Sequence, residues 1–320
     1  MKTTARSLVP FGTSLALSLW LVPVPSLSVA DEEFTLDTAR AAAEKGDPQA
    51  EYFLARRYAD GIGVPRDYVK AVAYLRQSAD QGYAPAQTGL GSCYAHGTGV
   101  KQDYAEAVWW YRQATAQGDS LAEYSLGYAY ADGKGVPKDV DTALKWWRKS
   151  AEQGQALAQN ALGQFYFQGE HPGDTNHINY VEAAKWLHQA AEQGCVPAMS
   201  TLGYMYQYAI GVQHDWSQAL QWNRQAAKLG DAAAQDNLGQ MYENGNAGLP
   251  HDLVQAYKWF WLSDQQGNQL GRHDVIEMEL HHALTPEQTA EAKRLAAVFQ
   301  TQMHTNPPVG PPHPQTESQR

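Results

Sequence analysis

Histidine and cysteine are the side chains of this sequence best suited to nucleophilic, acid–base or metal chemistry. His171 and His177 flank one polar stretch, and His281 and His282 are adjacent further along the chain. Scattered histidines of this kind lack the ligand spacing of a zinc site. The sequence contains no G-x-S-x-G, S-x-x-K, H-E-x-x-H or C-x-x-C string, no Walker A loop and no dinucleotide-binding glycine string. We therefore predict no catalytic residues, no metal and no cofactor.

The two cysteines, Cys93 and Cys195, are predicted to be free thiols. An exported protein could oxidise them. However, about three of the repeats described below separate them in the sequence. Stacked helix pairs of about 10 Å each would therefore place the two thiols beyond disulfide reach. We expect both side chains to be mostly buried and no disulfide to form.

A repeat of 36 residues organises most of the chain. Leu90, Gly91, Tyr94, Trp110 and Gly118 recur 36 residues later as Leu126, Gly127, Tyr130, Trp146 and Gly154. Six such repeats begin at Ala50, Ala86, Ala122, Ala158, Ala198 and Ala234. Repeat four has an insertion around residues 171–177, and repeat six has one extra residue within 245–248. A fixed period of this length is typical of a stacked array of supersecondary units.

Each repeat is predicted to consist of a helix A, a glycine loop, a helix B and a short turn. When the first alanine is counted as slot 1, slots 1, 5 and 9 of helix A lie within about 80° of one another and form an apolar stripe. The small residue at slot 6 lets helix B approach closely. A tryptophan or tyrosine on helix B, such as Trp110, should fill the gap between repeats. Aspartates such as Asp103 should cap helix B.

The ends of the sequence differ from the repeats. Residues 1–30 have Lys2 and Arg6, then a mostly apolar run, then Ser28-Val29-Ala30, which together indicate a cleaved secretory signal peptide; an uncleaved membrane anchor is the alternative. Residues 31–49 are predicted to form a capping half-repeat. Residues 50–268 hold the six repeats, and residues 269–303 should form capping helices, of which the last starts with the Thr285-Pro286 helix signal. We predict a disordered proline-rich tail over 304–320.

The recurring string Ala-x3-Leu-Gly-x2-Tyr-x2-Gly-x-Gly-Val, followed by Asp-x3-Ala-x2-Trp and a closing glycine, closely resembles the Sel-1-like repeat, a relative of the tetratricopeptide repeat. The resemblance covers about residues 35–297. It implies an all-α fold, a right-handed α-solenoid of stacked helix-turn-helix repeats. Ala209, which stands in a loop-glycine position, departs from the pattern.

The resemblance also implies a concave groove lined by helix A. Slots 3 and 7 lie opposite the apolar stripe, at roughly 200° and 240°. The predicted partner-binding residues at these slots are Tyr52, Arg56, Ser92, Tyr124, Tyr128, Asn160, Gln164, Tyr204 and Gln240, together with Thr88, Ser200 and Asp236. Tyrosines among hydroxyls and amides suit a peptide or a glycan, with Tyr124, Tyr128 and Tyr204 as central anchors. Solvated helix-face residues without a partner are the alternative interpretation.

These features predict an exported, periplasmic or secreted, non-enzymatic scaffold that holds a protein or peptide partner in a bacterial cell-envelope, secretion or signalling assembly. The net charge of −10 becomes −12 once Lys2 and Arg6 are removed with residues 1–30, which disfavours nucleic acid. Two alternatives remain. The first is a hydrolase or penicillin-binding protein that acts on β-lactam or cell-wall substrates, because some exported members of the resembled family are linked to penicillin-type ligands and weak β-lactam hydrolysis. The second is an envelope glycan-binding module.

Overall fold

The computed structural model describes residues 35–169 and 177–305. Within these ranges the chain forms 15 α-helices and a short 3-10 helix, and no strand. The helices belong to two compact units, which divide the sequence between Gln155 and Ala156. The predicted signal peptide, His171 and residues 306–320 of the predicted tail lie outside the described residues. The predicted all-α fold of helix-turn-helix repeats is confirmed.

Unit 1 consists of a lone helix and repeats one to three, in each of which a helix A is followed by a helix B. Its helices are α1 (Leu36–Ala43), α2 (Pro48–Asp60), α3 (Tyr68–Asp80), α4 (Ala84–His96), α5 (Tyr104–Thr115), α6 (Ser120–Asp132) and α7 (Val140–Glu152). Unit 2 consists of repeats four to six and two closing helices. Its helices are α8 (Ala156–Gln168), α9 (Tyr180–Glu192), α10 (Val196–Tyr208), α11 (Trp216–Lys228), α12 (Ala232–Asn244), α13 (Leu253–Gln265), α14 (Gln269–Leu280) and α15 (Pro286–Thr305).

The helix ends follow from the residues at each boundary. Every helix A begins two residues before slot 1, and Pro48, Pro85 and Pro197 occupy the first turn, where a missing N–H costs little. Helix B is capped as predicted: in repeat two, Asp103 accepts hydrogen bonds from the backbone N–H groups of the following turn. Helix A ends at a left-handed residue, which is Gly61 in repeat one and Ala209, with φ of 56°, in repeat five.

The slot-6 residue lies against helix B of the same repeat, as predicted. A Cβ added at Gly91 would meet the ring of Tyr111 at 2.7 Å, and one added at Gly239 would meet the ring of Phe260 at 2.6 Å. In repeat three, the neighbour of Gly127 is the indole of Trp147. In repeats two to six, the absence of a side chain at slot 6 therefore sets the distance between the two helices of the pair.

A glutamine near the end of helix B forms a recurring hydrogen bond within its own repeat. Its side-chain N–H donates to the buried polar residue at slot 2 of helix A. The pairs are Gln81 with Glu51, Gln117 with Gln87, Gln153 with Glu123, Gln193 with Gln159, and Gln266 with Gln235, at 2.6–2.9 Å. In repeat five the same two positions are Met199 and Leu229, and both belong to the apolar core of unit 2. The polar pair is thus replaced by an apolar pair at both positions together.

The tryptophan on helix B lies between neighbouring repeats, as predicted, at the three positions described next. In unit 1, Trp110 of repeat two lies in one core cluster with Leu75 of the preceding repeat and Leu90 of its own repeat. In unit 2, Trp222 and Trp259 lie in one core cluster, and Phe299 of the closing helix packs edge-on against Trp259, with ring centroids 5.1 Å apart.

The closing helix α15 begins with the predicted capping box. Thr285 N–H donates to Gln288 Oε1 at 2.9 Å, and Gln288 N–H donates to Thr285 Oγ1 at 3.2 Å. Ala292 and Ala296 then pack into the two core clusters of unit 2. Helix α15 continues to Thr305, so it includes the first two residues of the predicted tail.

Candidate partner-binding face

Slots 3 and 7 of helix A, which were predicted to lie together on a partner-binding surface, differ in burial. At slot 7, Arg56, Tyr128, Gln164, Tyr204 and Gln240 remain partly exposed, whereas Ser92 is buried. At slot 3, Tyr52 is partly exposed, and five side chains are buried: Thr88, Tyr124, Asn160, Ser200 and Asp236. The expectation that Tyr124 and Asn160 are accessible was therefore wrong; the side chain of Tyr124 is 4% exposed.

In repeats two and five, slot 3 is buried because the next repeat begins there. Thr88 Oγ1 donates to Asp119 Oδ1 at 3.0 Å, and Asp119 is the N-cap of the following helix A. Ser200 acts on Asp231, the N-cap of α12, in the same way, although its hydroxyl donates to the Pro197 carbonyl oxygen at 3.1 Å. Burial raises the pKa of both carboxyl groups, and the hydroxyl groups of Thr88 and Ser200 oppose the shift. Slot 3 therefore contributes to the contact between repeats rather than to an open surface.

The slot-7 face of unit 1 combines aromatic and charged side chains. Tyr128 lies edge-on against both Tyr124 and Trp147, with ring centroids 5.0 Å apart in each case. Tyr52 contacts Tyr83 in the same manner at 5.5 Å. The Arg56 guanidinium lowers the pKa of Tyr83, against a larger upward effect of burial. Ser92 is held inside by a 3.3 Å hydrogen bond with Tyr111.

The slot-7 face of unit 2 holds two pairs of primary amides: Gln164 with Gln168 in repeat four, and Gln240 with Asn244 in repeat six. Gln168 Nε2 donates to Gln164 Oε1 at 3.1 Å, and Gln164 Nε2 donates to Thr201 Oγ1 at 2.8 Å. Gln240 Nε2 donates to Asp236 Oδ2 at 2.7 Å, and Asn244 Nδ2 donates to the Gln240 carbonyl oxygen at 2.8 Å. These bonds hold the amides in fixed positions.

Four rings of unit 2 lie in a row, which we call the aromatic row: Tyr180, Phe167, Tyr204 and Tyr208. Consecutive ring centroids are 5.7, 6.3 and 4.5 Å apart. Tyr180 is 39% and Tyr208 46% exposed, whereas Phe167 is 3% exposed. Tyr208 Oη also donates to Gln240 Oε1 at 3.1 Å, which joins the aromatic row to the amide pair of repeat six.

Tyr208, Gln168 and Asn244 were not among the predicted site residues. All three occupy slot 11 of helix A, four positions after slot 7. Residues four apart lie on one helix face, so the periodicity that selected slot 7 also contained the signal for slot 11. The structure brings the slot-7 and slot-11 side chains together and buries most of slot 3.

The side chains that could carry chemistry are dispersed or shielded. Within 35–169 and 177–305, no group of three or more His, Cys, Asp or Glu side chains is placed to hold a metal ion. Both cysteines are free, as predicted. Burial raises the pKa of the Cys93 thiol to about 12 and that of the Cys195 thiol to about 11, which leaves little thiolate at neutral pH. His177 packs against the Phe165 ring.

The fold and this face define the class of protein: an α-helical repeat protein with an open helix-A face. A model of the Sel1 repeat matches residues 48–83, 84–119, 120–155, 156–195, 196–231 and 232–260. The chain belongs to the Sel1 repeat family. Proteins built from these repeats are generally scaffolds for protein–protein interaction, and the family is typically non-enzymatic.

Solved structures that are similar to this chain include the following two. One is c5321, a protective antigen that is present in uropathogenic Escherichia coli strains and displays an SLR fold. It shares 35% sequence identity with this chain, with a TM-score of 0.67. That alignment covers 83% of this chain and 56% of c5321, so the chain spans a little over half the length of that protein. The other is a Sel1 repeat protein from Oxalobacter formigenes, with 29% identity, a TM-score of 0.63, and coverage of 72% of this chain and 100% of that one. A comparison with curated proteins finds no match.

Proposed function

We propose that this protein is an exported scaffold that holds a protein or peptide partner in a concave groove formed by the helix-A faces, within a bacterial cell-envelope, secretion or signalling assembly. The observation that carries the proposal is the exposure of slot 7. Five of its six side chains remain partly exposed. The apolar stripe, the small residues at slot 6 and most of the slot-3 side chains are instead buried by packing. A face left open by the packing of a repeat array is available to a partner.

The chemistry of the exposed slot-7 side chains also supports the proposal. They are tyrosines, amides and one arginine, which offer rigid contact area and hydrogen bonds without an acid–base pair. No helix in the described part of the chain, residues 35–169 and 177–305, is both long and apolar enough to cross a membrane.

Site-specific photocrosslinking in intact cells tests the binding face. A photoreactive amino acid is introduced at Gln164 or Tyr208, and at Gln221 on the exposed side of helix B as the matched control. We expect discrete crosslinked species from the two helix-A positions and none of the same mass from Gln221. Crosslinks from Gln221 alone, or an identical pattern at all three positions, would contradict the proposed face.

The export proposal is tested separately. The signal-peptide pattern places cleavage after Ala30, so the mature chain should begin at Asp31. Cell fractionation followed by N-terminal sequencing of the purified protein measures this directly. A cytoplasmic protein that retains residues 1–30 would contradict export and leave the proposed binding face untouched.

A further inference from the structure

An arginine recurs at one position of helix B in all three repeats of unit 1. The residues are Arg76, Arg112 and Arg148, and all three side chains are exposed. Arg76 donates a hydrogen bond to the hydroxyl of Tyr94 in the next repeat. In the same way, Arg112 Nη2 donates to Tyr130 Oη at 3.1 Å. Tyrosine hydroxyls therefore hold two exposed guanidinium groups in place at successive junctions between repeats.

Most of the hydrogen-bonding capacity of these two guanidinium groups is unused. A guanidinium carries five N–H donors and no acceptor. In the part of the chain that the structure describes, the side chains of Arg76 and Arg112 each donate one hydrogen bond. Neither forms an ion pair there, although Asp80 lies one helical turn from Arg76. The remaining N–H groups of each fork match the two oxygens of a carboxylate.

A tryptophan lies beside Arg112 on the same face of α5. Trp109 is 50% exposed, and it stands three residues before Arg112, a spacing that makes two side chains neighbours on a helix. Its ring is edge-on to Trp110, with ring centroids 4.5 Å apart. Trp110 belongs to the core cluster that includes Leu75, the residue before Arg76. The indole thus lies next to one guanidinium and beside the junction that holds the other. We call Arg76, Trp109 and Arg112 the arginine–tryptophan patch.

The charges around the arginine–tryptophan patch disfavour a long polyanion. Glu106 lies three residues before Trp109 on α5, and Asp80 is the last residue of α3. Neither side chain is buried. A nucleic acid or an anionic membrane presents a continuous series of phosphates, which both carboxylates would repel. A short segment with carboxylates at two points can avoid them. Tryptophan and arginine are also enriched among the residues that dominate the energy of protein–protein interfaces.

We propose that the arginine–tryptophan patch binds an acidic segment of a partner protein, in which carboxylates flank an apolar side chain. The carboxylates pair with Arg76 and Arg112, and the apolar side chain covers the Trp109 indole. Because the tyrosine hydroxyls already restrict both guanidinium groups, less side-chain entropy is lost on binding. The patch lies on helix B of unit 1, so it is a second binding surface that does not depend on the helix-A face proposed above.

Isothermal titration of the purified protein tests the ligand class. The probe is a pentapeptide with a central phenylalanine between two pairs of glutamates, blocked at both ends. The comparison peptides replace all glutamates by glutamine or by lysine, or the phenylalanine by glycine. We expect the probe to bind, the glutamine and lysine peptides to show no measurable binding, and the glycine peptide to bind about tenfold more weakly. An increase from about 50 to 500 mM salt should weaken binding of the probe several-fold, because exposed ion pairs are screened.

Five variants locate the site. Arg76→Gln, Arg112→Gln and Trp109→Ala should each weaken binding of the probe about five- to tenfold. Arg224→Gln is the matched control, because it removes an exposed arginine from the same helix-B position of repeat five; it should change the affinity less than about twofold. Tyr130→Phe keeps the charge of Arg112 but releases its side chain, and it should weaken binding about two- to threefold. Circular dichroism of each variant establishes that it is folded at the titration temperature.

The outcomes separate this inference from the proposed function. No binding of the probe, or equal losses in the Arg112 and Arg224 variants, overturns the inference. Binding of single-stranded DNA or of phosphatidylglycerol vesicles that Arg112→Gln abolishes, without binding of the probe, overturns it in favour of a phosphate-bearing partner. Crosslinks from Gln164 or Tyr208 in cells do not involve this surface, so their absence would count against the helix-A face alone.

Discussion

Replacement of Gly127 by alanine tests the close approach of the paired helices. Gly127 stands at slot 6 of α6, and an added Cβ would overlap the indole of Trp147, which is almost fully buried. Trp147 Nε1 donates to the Tyr124 carbonyl oxygen at 3.2 Å, and its ring contacts Tyr128. The indole therefore cannot move without breaking a buried hydrogen bond.

The expected magnitude follows from opposing terms. Alanine in a helix interior gains about 1 kcal/mol over glycine. Overpacking costs about 1–3 kcal/mol, and loss of the Trp147 hydrogen bond with its donor left buried costs about 1–3 kcal/mol more. We expect a net loss of about 1–5 kcal/mol in the free energy of unfolding. Urea unfolding followed by far-ultraviolet circular dichroism measures it as a lower midpoint.

Gly89→Ala is the matched control. Gly89 also lies inside a helix A, but the nearest atoms to its added Cβ are the end of the Leu75 side chain, with the closer methyl at 3.1 Å. A flexible leucine can give way, so we expect no loss, or a gain of up to about 1 kcal/mol from helix propensity. If Gly127→Ala unfolds at the same midpoint as the parent protein or at a higher one, the close-approach argument fails.

A double variant tests whether the indole is the cause. Repeat one already has alanine at slot 6, Ala55, and leucine, Leu75, at the position that corresponds to Trp147. In the Trp147→Leu background, Gly127→Ala should therefore cost markedly less than in the parent chain. Such non-additivity is the expected signature of two residues in contact. Additive losses would point to a cause other than Trp147.

Three further predictions follow from other positions. Ala209→Gly relieves a left-handed residue with φ of 56° and should raise stability by about 1 kcal/mol, measured as a higher urea midpoint; an unchanged or lower midpoint would contradict this. Burial lowers the pKa of His188 below its usual 6.5, so the unfolded chain binds the proton first and stability should fall as pH drops below about 6.5. His188→Arg, which copies the arginine that donates to a tyrosine in repeat two, should reduce that fall in melting temperature, and equal pH profiles would contradict the assignment. Met199→Gln should destabilise, because an amide is buried opposite Leu229, and Leu229→Gln added to it should restore part of the loss in a thermal melt; no restoration would argue against pairing of the two positions.

The sequence predicts the helix pairs well because the signals are local and repeated six times. Aspartate caps, loop glycines and the alanine stripe each act within one or two turns, so Asp103 and Gly127 could be assigned without a structure. Pro48, Pro85 and Pro197 also indicate where helix A starts. Because each repeat was counted from its slot-1 alanine, however, the predicted start was two residues late.

The burial of slot 3 could not be predicted from one helix alone. A helical projection of α4 places Thr88 opposite the apolar stripe, yet the N-cap carboxylate of the next repeat, Asp119, covers it. That contact depends on the offset between successive repeats, which the period in sequence does not contain. The aromatic row arises in the same way, since Tyr180 and Phe167 lie on different helices and meet Tyr204 only after packing.

The glutamine pairs inside each repeat have a consequence for how such an array can grow. The bond joins the two helices of one repeat, and repeat five replaces both of its members with Met199 and Leu229. A duplication that copies a helix A together with its own helix B carries a compatible pair with it. A crossover in the intervening loop that joined helix A of repeat five to a helix B ending in glutamine would bury an amide against methionine. Gene rearrangements within this array should thus survive in whole-repeat steps, with breakpoints in the turn after helix B.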